Sequence, residues 1–312
     1  MWNQVANNKL LWKTIRMKNS HVNDWEGFAR TLKRNDTKHL DLRKVLMGNQ
    51  DEAWREFSEN IGLIDQLEVI DLCRCQSVIV EHLFVSNINL KVINAVSVKD
   101  DKIDLSGLND REQLLQELRL RSVHQNGIKI INENDIFDVT PFKNLRHLSL
   151  TTVQNLHIIV DNGQLSELKM LESLELGFCD KLNDKKFAEN LLGLTKLQRL
   201  RIEKGSLVFN INVILETIAS SLSSLVQLEL INCDIRTDFD DVIGKCTKLK
   251  KILLIPTYVS QSAATNFMIL KGVSQLINLD AFVWVVTNEL LRVTVIIISL
   301  INCFFVVLIL CF

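Results

Sequence analysis

Side chains able to do chemistry are present in this chain but dispersed. The six histidines (His21, His39, His82, His124, His147 and His157) lie far apart in sequence. There is no C-x-x-C, no H-E-x-x-H, no G-x-G-x-x-G and no G-x-x-x-x-G-K, so zinc, redox and phosphate-cradling chemistries lack their spacing here. No catalytic residue, metal or cofactor is expected. What the chain does carry is a set of charged residues inside apolar stretches: Glu117, Arg119, Arg121, His147, Glu175, Arg199, Arg201, Glu203 and Glu229. Two chemistries fit them. Opposite charges on neighbouring strands can neutralise one another. Alternatively Arg119, Arg121, Arg199 and Arg201 can hold an acidic or phosphorylated segment, because guanidinium grips such groups through paired hydrogen bonds.

Which reading holds depends on the elements that position these side chains. The clearest is Leu171-Glu172-Ser173-Leu174-Glu175-Leu176-Gly177-Phe178-Cys179-Asp180-Lys181-Leu182, with apolar residues at relative positions one, four, six and twelve. This is a leucine-rich repeat. Position one recurs at Thr37, Leu67, Leu90, Leu115, Leu145, Leu171, Leu197, Leu225, Leu249 and Leu279. Strand alternation turns positions four and six into a core and positions three, five and seven onto a concave sheet surface. No unit buries its apolar edge alone, so stability comes from stacking. Cys75, Cys179 and Cys233 fall at position nine as small buried fillers; Val45, Val98, Val123 and Val153 take that place in other units. Cys73 and Cys75 then point apart. His39 and His147 share the concave face but stand four repeats apart, about 20 Å at the usual strand spacing, too far to share a metal.

Segments between strands read as helices at Asp51–Glu59, Asp184–Leu192, Ile211–Leu222 and Ser260–Val273. The expected fold is therefore an α/β solenoid of about ten leucine-rich repeats, a parallel sheet on one side and helices on the other. With 312 residues, two prolines and no glycine/serine linker, one continuous body is expected. A net charge of −1 argues against nucleic acid as a partner. Seven cysteines in no regular framework, with no secretory signal, point to reduced thiols in the cytoplasm or nucleus.

The first thirty residues are read separately. Trp2 lies nine residues before the pair Leu11-Trp12, and a tryptophan followed after a helix by Leu-Trp resembles the second half of an F-box. Followed by cysteine-containing leucine-rich repeats, the chain resembles F-box leucine-rich-repeat proteins. It departs from them in lacking the Leu-Pro-rich first helix. The resemblance implies a substrate receptor of Skp–cullin–F-box ubiquitin ligases. Trp2, Leu11 and Trp12 would lie near the Skp-type adaptor and cullin, and the repeats would bind a protein substrate. The expected domains are a partial F-box-like helical cap (1–30), a solenoid (31–287) and an apolar C-terminal segment (288–312). Val293–Phe312 carries no charge over twenty residues, the length of one bilayer crossing. It reads as a tail anchor placing the chain on the cytosolic face of a membrane, as sequence appended by a missed splice site, or as a buried capping segment. Beside the ligase reading stands a non-catalytic protein-binding scaffold or inhibitor, membrane-tethered or free.

Overall fold

Leucines at positions one, four and six cannot all be hidden by a strand and its own turn, so each strand must be covered by the next. The computed structural model shows this arrangement over residues 8–108, 111–124, 126–132, 137–178, 181–203, 209–286 and 305–309. The chain divides into two units, Met1–Asn155 and Leu156–Phe312.

In the first unit the parallel ladder runs β1 (Thr14–Arg16), β2 (His39–Asp41), β3 (Val69–Cys73), β4 (Val92–Val98), β6 (Glu117–Ser122) and β8 (His147–Thr151). In the second it runs β9 (Ser173–Gly177), β10 (Arg199–Glu203), β11 (Gln227–Cys233), β12 (Lys251–Pro256), β13 (Ala281–Val286) and β14 (Phe305–Ile309). Neighbouring rungs pair position for position: His39 with Val69, Arg119 with Ser149, Arg201 with Glu229. The twenty residues at positions four and six, from Leu40 and Leu42 to Phe282 and Trp284, are all buried. The fold is a leucine-rich repeat.

Three local rules hold the rungs. The position-two carbonyl accepts from two amides of the next rung, as Glu172 O does from Gln198 N (2.8 Å) and Arg199 N (3.0 Å). Position eight takes a left-handed backbone at Arg74, Ser97, Thr152, Phe178 and Asn232, φ 52–60°. That inserted twist turns position nine inward, so Cys75, Val98, Val153 and Cys233 are buried. The rung of β6 lacks it. There Ser122 pairs with Val98 and is buried, and Val123, expected at position nine, is 58% exposed.

The same rules correct the expected start of the repeats. Lys13 O accepts from Lys38 N and His39 N, and Asn19 has φ 55°, so Trp12 holds position one and Lys13 position two of an additional rung. The ladder thus begins inside the 1–30 segment expected to be a separate cap. Its remaining helix, Trp25–Arg34, is capped by Asp24, whose carboxylate accepts from Gly27 N at 2.8 Å. Trp25 meets Phe57 edge-on at 5.4 Å, which fixes that helix to helix Gln50–Asn60.

Helices Asp184–Leu191, Ile211–Ser221 and Ala263–Val273 lie where expected, each started by an asparagine or serine cap (Asn183, Asn210, Ser262). Two segments of the first unit differ. β5 (Lys102–Asp104) and β7 (Lys129–Ile131) replace helices and form a small parallel sheet of their own. Of 293–312, only 305–309 are described, and they form a strand on β13. Among the described residues no helix is long and apolar enough to cross a membrane.

Two substitutions read these rules against each other. Leu174→Ala should cost about 2–5 kcal/mol by opening a core cavity. Thr152→Gly should raise stability by about 0.5–1 kcal/mol, since threonine resists the left-handed region. Denaturant unfolding measures both, and a destabilised Thr152→Gly would contradict the position-eight rule.

Candidate protein-binding face

Positions three, five and seven of each rung form the open face of the sheet, away from the helices. In the first unit the face is organised by Asp71, 4% exposed. His39 Nε2 lies 2.7 Å from Asp71 Oδ2, and Asn94 Nδ2 donates to Asp71 Oδ1 at 2.8 Å. Arg43 grips Asp41 through Nε (3.0 Å) and Nη2 (2.7 Å). The guanidinium bond holds the Asp41 carboxyl below the usual carboxylate range against the opposing pull of burial, and it raises Arg43 in turn. His39, Asp71 and Asn94 were not singled out as site residues from the sequence. Their signal is adjacency: they occupy positions three and five of three consecutive rungs.

Further along the same unit, Glu117 stands beside His147, Arg119 beside Ser149 and Arg121 beside Thr151. Arg119 Nη2 is 3.6 Å from Glu117 Oε1. Arg121 is exposed and has no ion pair among the described residues.

The second unit is different. Arg199 reaches Glu175 (2.9 Å) and Glu229 Oε1 (2.9 Å); Arg201 reaches Glu229 Oε2 (3.0 Å) and Glu203 (2.9 Å). Gln227 Nε2 also donates to Glu229 Oε1 at 2.7 Å. Glu229 is 6% exposed and receives every one of these donors. Burial works to lower the Arg201 pKa, but its bonds to Glu203 and Glu229 carry it upward. Of the four arginines proposed to hold an acidic segment, two are therefore committed to this network. Mutual neutralisation describes Glu175, Arg199, Arg201, Glu203 and Glu229. The face then turns apolar through Ile231, Leu253, Ile255, Val283 and Val285, of which Ile231 and Val285 are buried and the others half-buried.

Three of the described thiols are buried. Burial pushes Cys75, Cys233 and Cys246 up to about 12. Cys73 is half-buried on the open face, apart from Cys75 as expected. Cys179 lies outside the described residues. Among the described residues no cluster of His, Cys, Asp or Glu could hold a metal ion. Of the residues expected near an adaptor, Trp2 lies outside the described residues. Leu11 is 57% exposed beside Leu10 at 77%, on the one-turn helix Lys9–Trp12, and Trp12 is half-buried.

No family profile and no curated protein matches this chain. Among solved structures, one described as the crystal structure of a TLR13–ssRNA13 complex aligns at 15% identity with a TM-score of 0.33. The alignment covers 87% of this chain and 51% of the other, so this chain spans about half of its length.

Arg201→Glu would place three carboxylates together around the buried Glu229, and is expected to cost on the order of 3 kcal/mol. Arg121→Glu should shift stability by less than about 0.5 kcal/mol. Equal losses in thermal unfolding would contradict the contrast between the committed Arg201 and Arg121. Alkylation at pH 8, read by peptide mass, should label Cys73 and spare Cys75, Cys233 and Cys246 in the folded chain; a folded-state adduct on Cys75 would contradict its burial.

Proposed function

We propose that this chain is a non-catalytic protein-binding module, and that it serves as the substrate-recognition subunit of a cullin-RING ligase of the Skp–cullin–F-box type. The observation that carries protein binding is the open face itself. Its charged side chains are held rung by rung in fixed positions, as Arg199 and Arg201 are by Glu229, so a partner meets a pre-organised surface. Arg121, exposed, with the half-buried Arg119 and His147 on the same pair of strands, would contact the target to be ubiquitinated and degraded. The ligase role is supported by the F-box leucine-rich-repeat resemblance and by the buried position-nine Cys75 and Cys233. Exposed Leu10 and Leu11 at the start of the ladder support it too, as a place for an adaptor to grip. The work would be done in the cytoplasm or nucleus.

One observation favours a second reading, a protein-binding scaffold or inhibitor without a ligase. Trp12 opens a repeat rung, so Leu11-Trp12 has a structural duty independent of any adaptor.

Affinity purification from cells with mass spectrometry separates the two. The ligase role expects the Skp-type adaptor and a cullin with the full chain, and their loss with Leu10→Asp/Leu11→Asp. Arg121→Glu should keep the adaptor and lose the target. A stable partner recovered without adaptor or cullin would overturn the ligase role in favour of the scaffold.

A further inference from the structure

Three cavities differ in charge. One beside helix Trp25–Arg34, lined by Trp25, Phe57 and Leu40, is apolar. A second, of about 180 Å³, contains Lys186, but that lysine is paired with Glu189 at 3.1 Å. The third, of about 240 Å³ in the second unit, lies between the end of helix Ile211–Ser221 and the turn Lys245–Leu249. Its lining contains two lysines and no carboxylate, and neither Lys245 nor Lys248 has an ion-pair partner among the described residues. We propose that this cavity is a binding site for a phosphate monoester, held by Lys245 and Lys248.

The layout of the wall defines the ligand. The floor is apolar: Ile218, Leu222, Leu225 and Leu249 are buried, and Cys246 donates its thiol to Leu215 O and Val242 O. With its pKa pushed up to about 12, Cys246 stays neutral and adds no charge of its own. The exposed part of the lining is polar and contains Ser221, Ser223 and Thr247 as well as Lys245 and Lys248. A cationic, hydroxyl-bearing rim binds phosphate oxygens, while an apolar floor takes the carbon to which the phosphate is attached. The buried apolar residues of the lining offer the ester's carbon a contact that inorganic phosphate has nothing to fill, so the ester is favoured over inorganic phosphate. The volume is below the roughly 300 Å³ at which sites for drug-sized ligands begin, so the ligand is small. None of this depends on the open face binding a protein.

The test is titration calorimetry of the full chain with inorganic phosphate, glycerol 3-phosphate and a short phosphoserine peptide. Saturable binding of an ester, tighter than inorganic phosphate, is expected. Lys245→Ala/Lys248→Ala should weaken it about tenfold or more with unchanged thermal unfolding. Lys186→Ala, in the charge-balanced cavity, should leave it unchanged. Tighter binding of the peptide would identify a protein-borne phosphate, and tighter binding of glycerol 3-phosphate a free metabolite; either supports the site. No saturable binding of an ester, or equal weakening by Lys186→Ala, would overturn it.

Discussion

Every other feature of this protein depends on one constraint: a single rung cannot bury its own apolar edge. Leu174 and Leu176 are buried in register with Leu200 and Ile202, and Leu228 and Leu230 extend the same layer on the next strand. Burial is therefore a property of stacking, and the backbone must repeat closely enough for position to meet position. The doubly accepting carbonyl at position two and the left-handed residue at position eight enforce that repeat. Where the latter is missing, at β6, the inward side chain shifts from Val123 to Ser122.

The same constraint produces the functional surface. Because positions four and six must face inward, positions three, five and seven are held outward at strand spacing, and their charges become neighbours. Glu229 collects two arginines and a glutamine because it lies directly beside Arg201 on the neighbouring rung and diagonally from that rung's other guanidinium, Arg199, with Gln227 two residues away on its own strand. Asp71 plays the corresponding part for His39 and Asn94 in the first unit. A pre-organised charged face costs little side-chain ordering on binding, which is the advantage such a surface offers a protein partner.

Repeat register was legible in the sequence because burial at period two leaves a direct mark on residue type. From Leu40 to Trp284 positions four and six, read from leucine spacing, are buried in every unit. The extra rung at Trp12 was not legible: its inward residues, Ile15 and Met17, follow a threonine and an arginine-flanked stretch too short to show a period. Nor was the replacement of helices by β5 and β7, where Lys102-Ile103-Asp104 and Lys129-Ile130-Ile131 are three-residue segments. At the face, residue types showed that opposite charges were available. Which arginine was committed depended on distances of about one hydrogen bond, and these separate Arg201 from Arg121 although both look alike in sequence.

The register is the claim on which the open face, its charge pairs and its proposed partner all rest. Hydroxyl-radical footprinting of the folded chain tests it side chain by side chain within one stretch, Leu191 to Ile202. Leu192 is 52% exposed, whereas Leu191, Leu194, Leu197 and Leu200 are fully buried and Ile202 is 2% exposed. Oxidation confined to Leu192 among these six is the expected result. Comparable oxidation of Leu200 or Ile202 would mean that the strand presents its other face to solvent, and the assignment of Arg199, Arg201 and Glu203 to a binding surface would fail with it.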